Sequence, residues 1–163
     1  MTTSLNGRLD EQVYMVQAAS NGVLTTTVGD CVYVSLKNYR KVQVVIDMLN
    51  ATTVTGATVT LKQATAVAGT NEKALAFTRM LANIDVAASQ AMTETEVTSN
   101  TFTTDTTNSK RLRYVLDVDS ESLDVAGGFD CFRVDCTGAL ASLGTVTYAL
   151  YGARYNGASP LVD

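Results

Sequence analysis

The chain has 163 residues, a net charge of −4 and a pI near 4.7, with no histidine and no tryptophan. That length suits one domain with a sizeable core, able to fold without a metal or a disulfide. The acidic balance argues against a binder of phosphate backbones, and the missing histidine removes the commonest general base and metal ligand.

Residues 1–10 are polar and without periodicity, and read as an N-terminal arm. MTTSLNGRLDEQ lacks the apolar core of a signal peptide, and no apolar run approaches the ~18 residues of a membrane span. The expectation is a soluble protein that is not exported by that route and has no membrane partner. EQVYMVQAAS (11–20) admits a helical turn or a strand; Val13, Tyr14 and Val16 favour a strand, closed by a turn at Asn21-Gly22.

CVYVSL (31–36) alternates, with Val32, Val34 and Leu36 on one face and Tyr33 and Ser35 on the other. KNYRK (37–41) is a basic connection. VQVVIDML (42–49) is nearly all apolar and predicts a central strand covered on both sides. ATVTLKQAT (57–65) turns Val59 and Leu61 inward, and VAGTNEK (67–73) reads as a hairpin loop. ALAFTRMLA (74–82) is taken as one strand, NIDVAASQAMTETE (83–96) as a loop with room for one helical turn, and VTSNTFTT (97–104) as the next strand.

In RLRYVLDVD (111–119), Leu112, Tyr114, Leu116 and Val118 share one face, while Arg113, Asp117 and Asp119 share the other. FDCFRVDC (129–136) sets Phe132, Val134 and Cys136 against Cys131, Arg133 and Asp135. TVTYALYGARY (145–155) sets Val146, Tyr148 and Leu150 against Tyr151 and Tyr155. NGASPLVD (156–163) reads as a tail. Eight or nine strands at even spacing, rich in threonine and valine, predict an all-β, two-sheet antiparallel sandwich. An eight-stranded jelly roll is the usual form, and here it would span residues 11–155 as one domain.

Candidate chemistry is sparse. The acidic run Asp117, Asp119, Glu121 and Asp124 invites a calcium-loop reading, but Ser122 holds the place of the required glycine and the flanks are strands, so no metal is expected. Cys31, Cys131 and Cys136 are odd in number and lack CxxC spacing, which predicts reduced, strand-borne thiols. Cys131 and Cys136, five apart, should face opposite ways. Ser20, Ser35 and Ser142 have no base in any recognisable constellation, and Gly127-Gly128 lies between strands, so it marks a turn. Asn50-Ala51-Thr52 matches a glycosylation acceptor, which means nothing without secretion. No cofactor and no catalytic residue are predicted, and the chain does not read as an enzyme.

Lys110, Arg111 and Arg113 are three charges on an acidic background without an aromatic platform, which suits a solvated or partner-facing edge better than nucleic acid. Basic residues beside tyrosine are what protein interfaces favour. The candidate contact residues are therefore Tyr39, Arg40 and Lys41, then Tyr151, Arg154 and Tyr155, with Leu5 and Arg8 on the N-terminal arm.

Three stretches, KNYRKVQVVIDMLNATTVTGATVTLKQATAVAGTNEKALAFTRMLAN, TFTTDTTNSKRLRYVLDVDSESLDVAGGFDCFRVDC and TYALYGARYNGASP, cover most of the chain from Lys37 to Pro160. With VTLKQATAVAGTNEKAL, LDVAGGFDC and YGARY as its most specific parts, this resembles the capsid decoration (cement) proteins of tailed bacteriophages. The resemblance implies a jelly roll on the capsid exterior of a virion, made in the host bacterial cytoplasm. It further implies binding to the major capsid protein and self-association as a homotrimer. Other positions in a phage particle (neck, tail or fibre base) and a carbohydrate- or receptor-binding module on the virion are the alternatives.

Overall fold

The computed structural model describes residues 13–23, 31–138, 142–154 and 159–162, the side chains of 20–23 and 138 excepted. Alternating β-branched and polar residues form β1 (Val13–Val23), β2 (Val34–Ser35), β3 (Lys41–Asn50), β4 (Ala57–Ala64), β5 (Lys73–Ala74) and β6 (Arg79–Asn83). They continue as β7 (Thr93–Glu96), β8 (Thr101–Thr103), β9 (Arg111–Asp119), β10 (Cys131–Gly138) and β11 (Ser142–Tyr151). Two antiparallel sheets result, β1-β11-β3-β9-β6-β7 and β2-β10-β4-β5, with β8 on the same edge of β4 as β5. The protein is an all-β sandwich.

With the β6–β7 hairpin set aside, the chain changes sheet at each step from β1 to β4 and again from β9 to β11. That alternation is the arrangement a jelly roll requires. The count exceeds eight because β6 and β7 extend one sheet and one edge of the other is shared by β5 and β8.

The core lies between the sheets. β3 contributes Val42, Val44, Ile46 and Met48, β9 contributes Leu112, Tyr114, Leu116 and Val118, and β4 and β10 contribute Val59, Leu61, Phe132, Val134 and Cys136. A hydrogen bond joins the layers through this apolar space. β2 pairs with β10 only at Phe132 and Cys131, so the Val134 N–H lacks a ladder partner there and donates instead to Tyr148 Oη at 2.8 Å. Complete burial pushes the Tyr148 phenol well above its ordinary pKa, so it stays neutral. Tyr148→Phe is expected to cost about 1–3 kcal/mol, because it leaves a buried N–H without an acceptor. Urea unfolding of the two proteins measures it.

Several boundaries differ from those the sequence suggests. Asn21-Gly22 makes no turn: β1 runs on to Val23, absorbing the irregularity as register shifts between Gln17 and Gly22. The alternation in CVYVSL breaks at its start, because Cys31 N–H bonds Val134 of one sheet and Val32 N–H bonds Ala18 of the other. At that corner Cys31 enters the core and Val32 is left 45% exposed. β3 is central in its sheet but covered fully on one face only, with Leu49 exposed on the other. ALAFTRMLA is two strands in different sheets, joined by Leu75 and Phe77 as they pass through the core. TETE, read as loop, is β7, and the single helical turn expected nearby is the bonding of Ala88 and Ser89 N–H to Asp85 C=O. The tail is not wholly free: Pro160 is buried and its carbonyl accepts the Ser35 N–H at 2.7 Å.

Candidate contact surface

Cross-strand register brings distant residues to one end of the six-stranded sheet. Val13, Tyr151, Lys41 and Asp119 lie side by side across β1, β11, β3 and β9. Arg40 is strapped between two elements: its N–H donates to Tyr151 C=O at 3.0 Å, and its C=O accepts Ser120 N–H at 2.8 Å. Beyond β11, Gly152 takes a left-handed conformation (φ 64°), and a Cβ there would come within 3.0 Å of the Arg40 Cβ. That bend lets Arg154 N–H reach Asn38 C=O at 2.7 Å and Arg154 Nη2 reach Ser120 Oγ at 3.4 Å.

Arg40, Lys41, Tyr151 and Arg154 therefore form one exposed or half-exposed cluster, assembled from both ends of the domain. Lys41 is paired with Asp117 at 3.0 Å, whereas neither Arg40 nor Arg154 has an ion-pair partner among the described residues. A cleft of about 380 Å³ lies beside them, lined by Leu36, Lys37, Glu121, Val125, Phe129 and Arg154. Tyr39 is a correction to the expected contact set: it is a core residue, 3% exposed, with its ring edge against Tyr14 at 6.3 Å. Its place in a run of charges hid that role. Leu5, Arg8 and Tyr155 lie outside the described residues.

The other basic group is largely neutralised. Arg113 Nε and Nη2 donate to the two carboxylate oxygens of Asp47 at 2.6 and 3.0 Å, and Lys110 is paired with Asp85. The acids of 117–124 disperse: Asp117 accepts from Gln43 and Lys41, and Asp124 caps Gly127 N–H and pairs with Lys73. Among the described residues, no three acidic or thiol groups gather where they could hold a metal ion. All three cysteines are buried and none forms a disulfide. Cys136 sits in the main core and Cys131 in a small cluster with Tyr33 and Ala64 on the opposite face, as their spacing implies; burial pushes the Cys136 thiol far up.

That small cluster borders a concentrated charge network, which sequence reading missed. On the outer face of the five-stranded sheet, Lys62 and Arg133 stand directly opposite each other on β4 and β10. Two like charges there repel unless acids intervene. Glu72, from the β4–β5 hairpin loop, lies 2.6 Å from Lys62 Nζ and 2.8 Å from Arg133 Nη2, and it accepts from Tyr33 Oη at 2.6 Å. Asp135, 5% exposed, pairs with Lys62; its Oδ1 lies 2.8 Å from Arg133 Nε, an ion-pair contact rather than an aligned hydrogen bond. The period-two spacing of Arg133 and Asp135 was legible, but the contribution of Glu72 depends on how the loop folds back.

Burial alone would raise the Glu72 carboxyl; hydrogen bonds from Lys62 and Tyr33, with the charges of Arg133 and Lys62, outweigh it and hold the pKa below its ordinary value. A depressed acid contributes stability that is present above its unfolded pKa and lost as pH falls through the folded one. Glu72→Gln is therefore expected to lower the melting temperature at neutral pH and to flatten its fall between pH 5 and the acid limb. A pH series of melting curves on both proteins checks this.

No family model matches this chain, and no curated protein or solved structure compared with it is similar. No helix among the described residues is long and apolar enough to cross a membrane.

Proposed function

We propose that this chain is a structural virion protein, a decoration subunit that binds the outer surface of a bacteriophage head and stabilises its lattice. Its partners on this reading are the major capsid protein and further copies of itself in a trimer. The observation that carries the reading is the gathering of Arg40, Lys41, Tyr151 and Arg154 at one end of a stiff sandwich. Two guanidiniums without an ion-pair partner among the described residues, beside a half-buried tyrosine, are the composition that protein interfaces favour. The resemblance of Lys37–Pro160 to decoration proteins points the same way. A body already rigid before docking loses little entropy when it binds, and lattice symmetry repeats each modest contact many times.

The test is sedimentation of purified protein with undecorated heads. The wild-type chain is expected to co-sediment, and Arg40→Glu with Arg154→Glu is expected to weaken binding at least tenfold, since charges at the contact would then repel. A wild-type protein that stays in the supernatant, and is monomeric at every concentration, overturns the reading.

A further inference from the structure

We propose that the cleft between β6 and β9 is a strand-acceptor slot, which takes an extended, basic segment of another protein. β6 pairs with β9 only at Leu81–Val115, Ala82–Tyr114 and Asn83–Arg113. Yet β9 runs on to Asp119, and β6 reaches back to Arg79. The two strands diverge there, leaving a cleft of about 390 Å³ lined by Phe77, Arg79, Met80, Leu81, Asp117 and Asp119, among others.

The backbone on both walls is aimed into this gap. Ser120 N–H bonds Arg40 on the β3 side of β9, and Arg111 C=O receives Val86 N–H on the opposite side. Along an antiparallel strand these directions alternate, so Asp117 and Asp119 turn their N–H and C=O groups into the cleft. On the other wall, Thr78 C=O accepts Val97 N–H on the β7 side, which turns Arg79 towards β9. Among the described residues, none of the three is ladder-paired across the gap. A row of open N–H and C=O groups is a template for another strand. The outer edge of this sheet is blunted in the usual way, by the short and wholly exposed β7 with Glu94 and Glu96.

Charge selects the occupant. Asp117 is engaged by Lys41 at 3.0 Å and by Gln43 at 3.1 Å, and Arg79 lies 3.6 Å from Glu94. Among the described residues the Asp119 carboxylate has no ion-pair partner, so of the acids lining the slot it is the one left for a cation of the occupant. With the chain itself at −4, the complementary segment is basic and belongs to a different protein. Pairing with Asp117 and Asp119 takes about three or four extended residues, at roughly 3.3 Å each.

The probe is a capped seven-residue peptide of alternating threonine and valine with lysine at its centre, followed by amide chemical shifts. Shifts are expected at Asp117, Asp119 and Arg79. Asp119 has φ −80° and ψ 144°, which proline can adopt, so Asp119→Pro deletes the N–H in the slot without touching the ladder to β3. It is expected to weaken binding at least tenfold, and Asp119→Ala, which keeps the N–H, about threefold. On the wild-type protein, the same peptide N-methylated at alternate residues should not bind, and one with central glutamate should bind at least threefold more weakly. Absence of shifts at these amides, equal binding by Asp119→Pro, or binding of the methylated peptide overturns the proposal. Concentration-dependent protection of the same amides without peptide puts a second copy in the slot and overturns the named partner. No phage head enters this experiment, so its outcome is independent of the head-binding test.

Discussion

Phe132→Ala is expected to destabilise the protein by about 3–5 kcal/mol, the usual cost of removing a fully buried aromatic ring. Phe132 has no exposed surface and its ring centroid lies 5.6 Å from that of Tyr148, across the interval between the sheets. Removing it opens a void beside the phenol that satisfies the Val134 N–H, so little can collapse into the space without disturbing that bond. A loss of this size is a large part of the roughly 5–15 kcal/mol that holds a domain folded. It should lower the melting temperature by roughly 6–20 °C, read by calorimetry or circular dichroism. Phe129→Ala is the control: that ring is only half-buried and meets Lys73 at 3.9 Å, so its loss should cost about 1 kcal/mol.

Asp135→Ala is expected to cost about 3 kcal/mol, by a different route. Asp135 is buried between Lys62 and Arg133, and truncating it leaves two cations facing each other across β4 and β10 with Glu72 alone between them. Breaking one member of a buried ion group costs about 3–5 kcal/mol, mostly as the charge left uncompensated. The lower end applies because Lys62 and Arg133 keep 27% and 18% of their side-chain surface in water. Adding Lys62→Met to Asp135→Ala should then restore part of the loss instead of enlarging it, since it removes the surplus cation. A double-mutant cycle in urea measures this, and additive losses would show that the acid contributes packing alone.

Where side chains alternate strictly, sequence and structure agree. RLRYVLDVD is β9 residue for residue, with its four predicted inward residues buried, because a strand with one wet face leaves no other register open. The opposed directions of Cys131 and Cys136 follow from the same period of two. Agreement fails where the chain passes between sheets. ALAFTRMLA reads as one strand although Leu75 and Phe77 cross the core between two sheets rather than lie along one strand. Cys31 and Val32 bond to different sheets, so no single alternation describes them. TETE looks like a loop because all four residues are exposed on an outer strand that buries nothing. The contact cluster was half legible: Arg40, Lys41, Tyr151 and Arg154 stand out as residue types, but only the register shows that they meet. Tyr39 was misplaced because local charge says nothing about which way one ring points.

The pairing of β1 with β11 fixes when this sheet can be finished. Every bond of β1 to its sheet neighbour goes to β11, and β11 also supplies one flank of β3. A ribosome that has not yet released β11 therefore holds β1 without a mate and the middle of the sheet open on one side. Completion has to wait until β11 has been made, and until then these strands depend on chaperones or on speed to escape pairing with a neighbouring nascent chain.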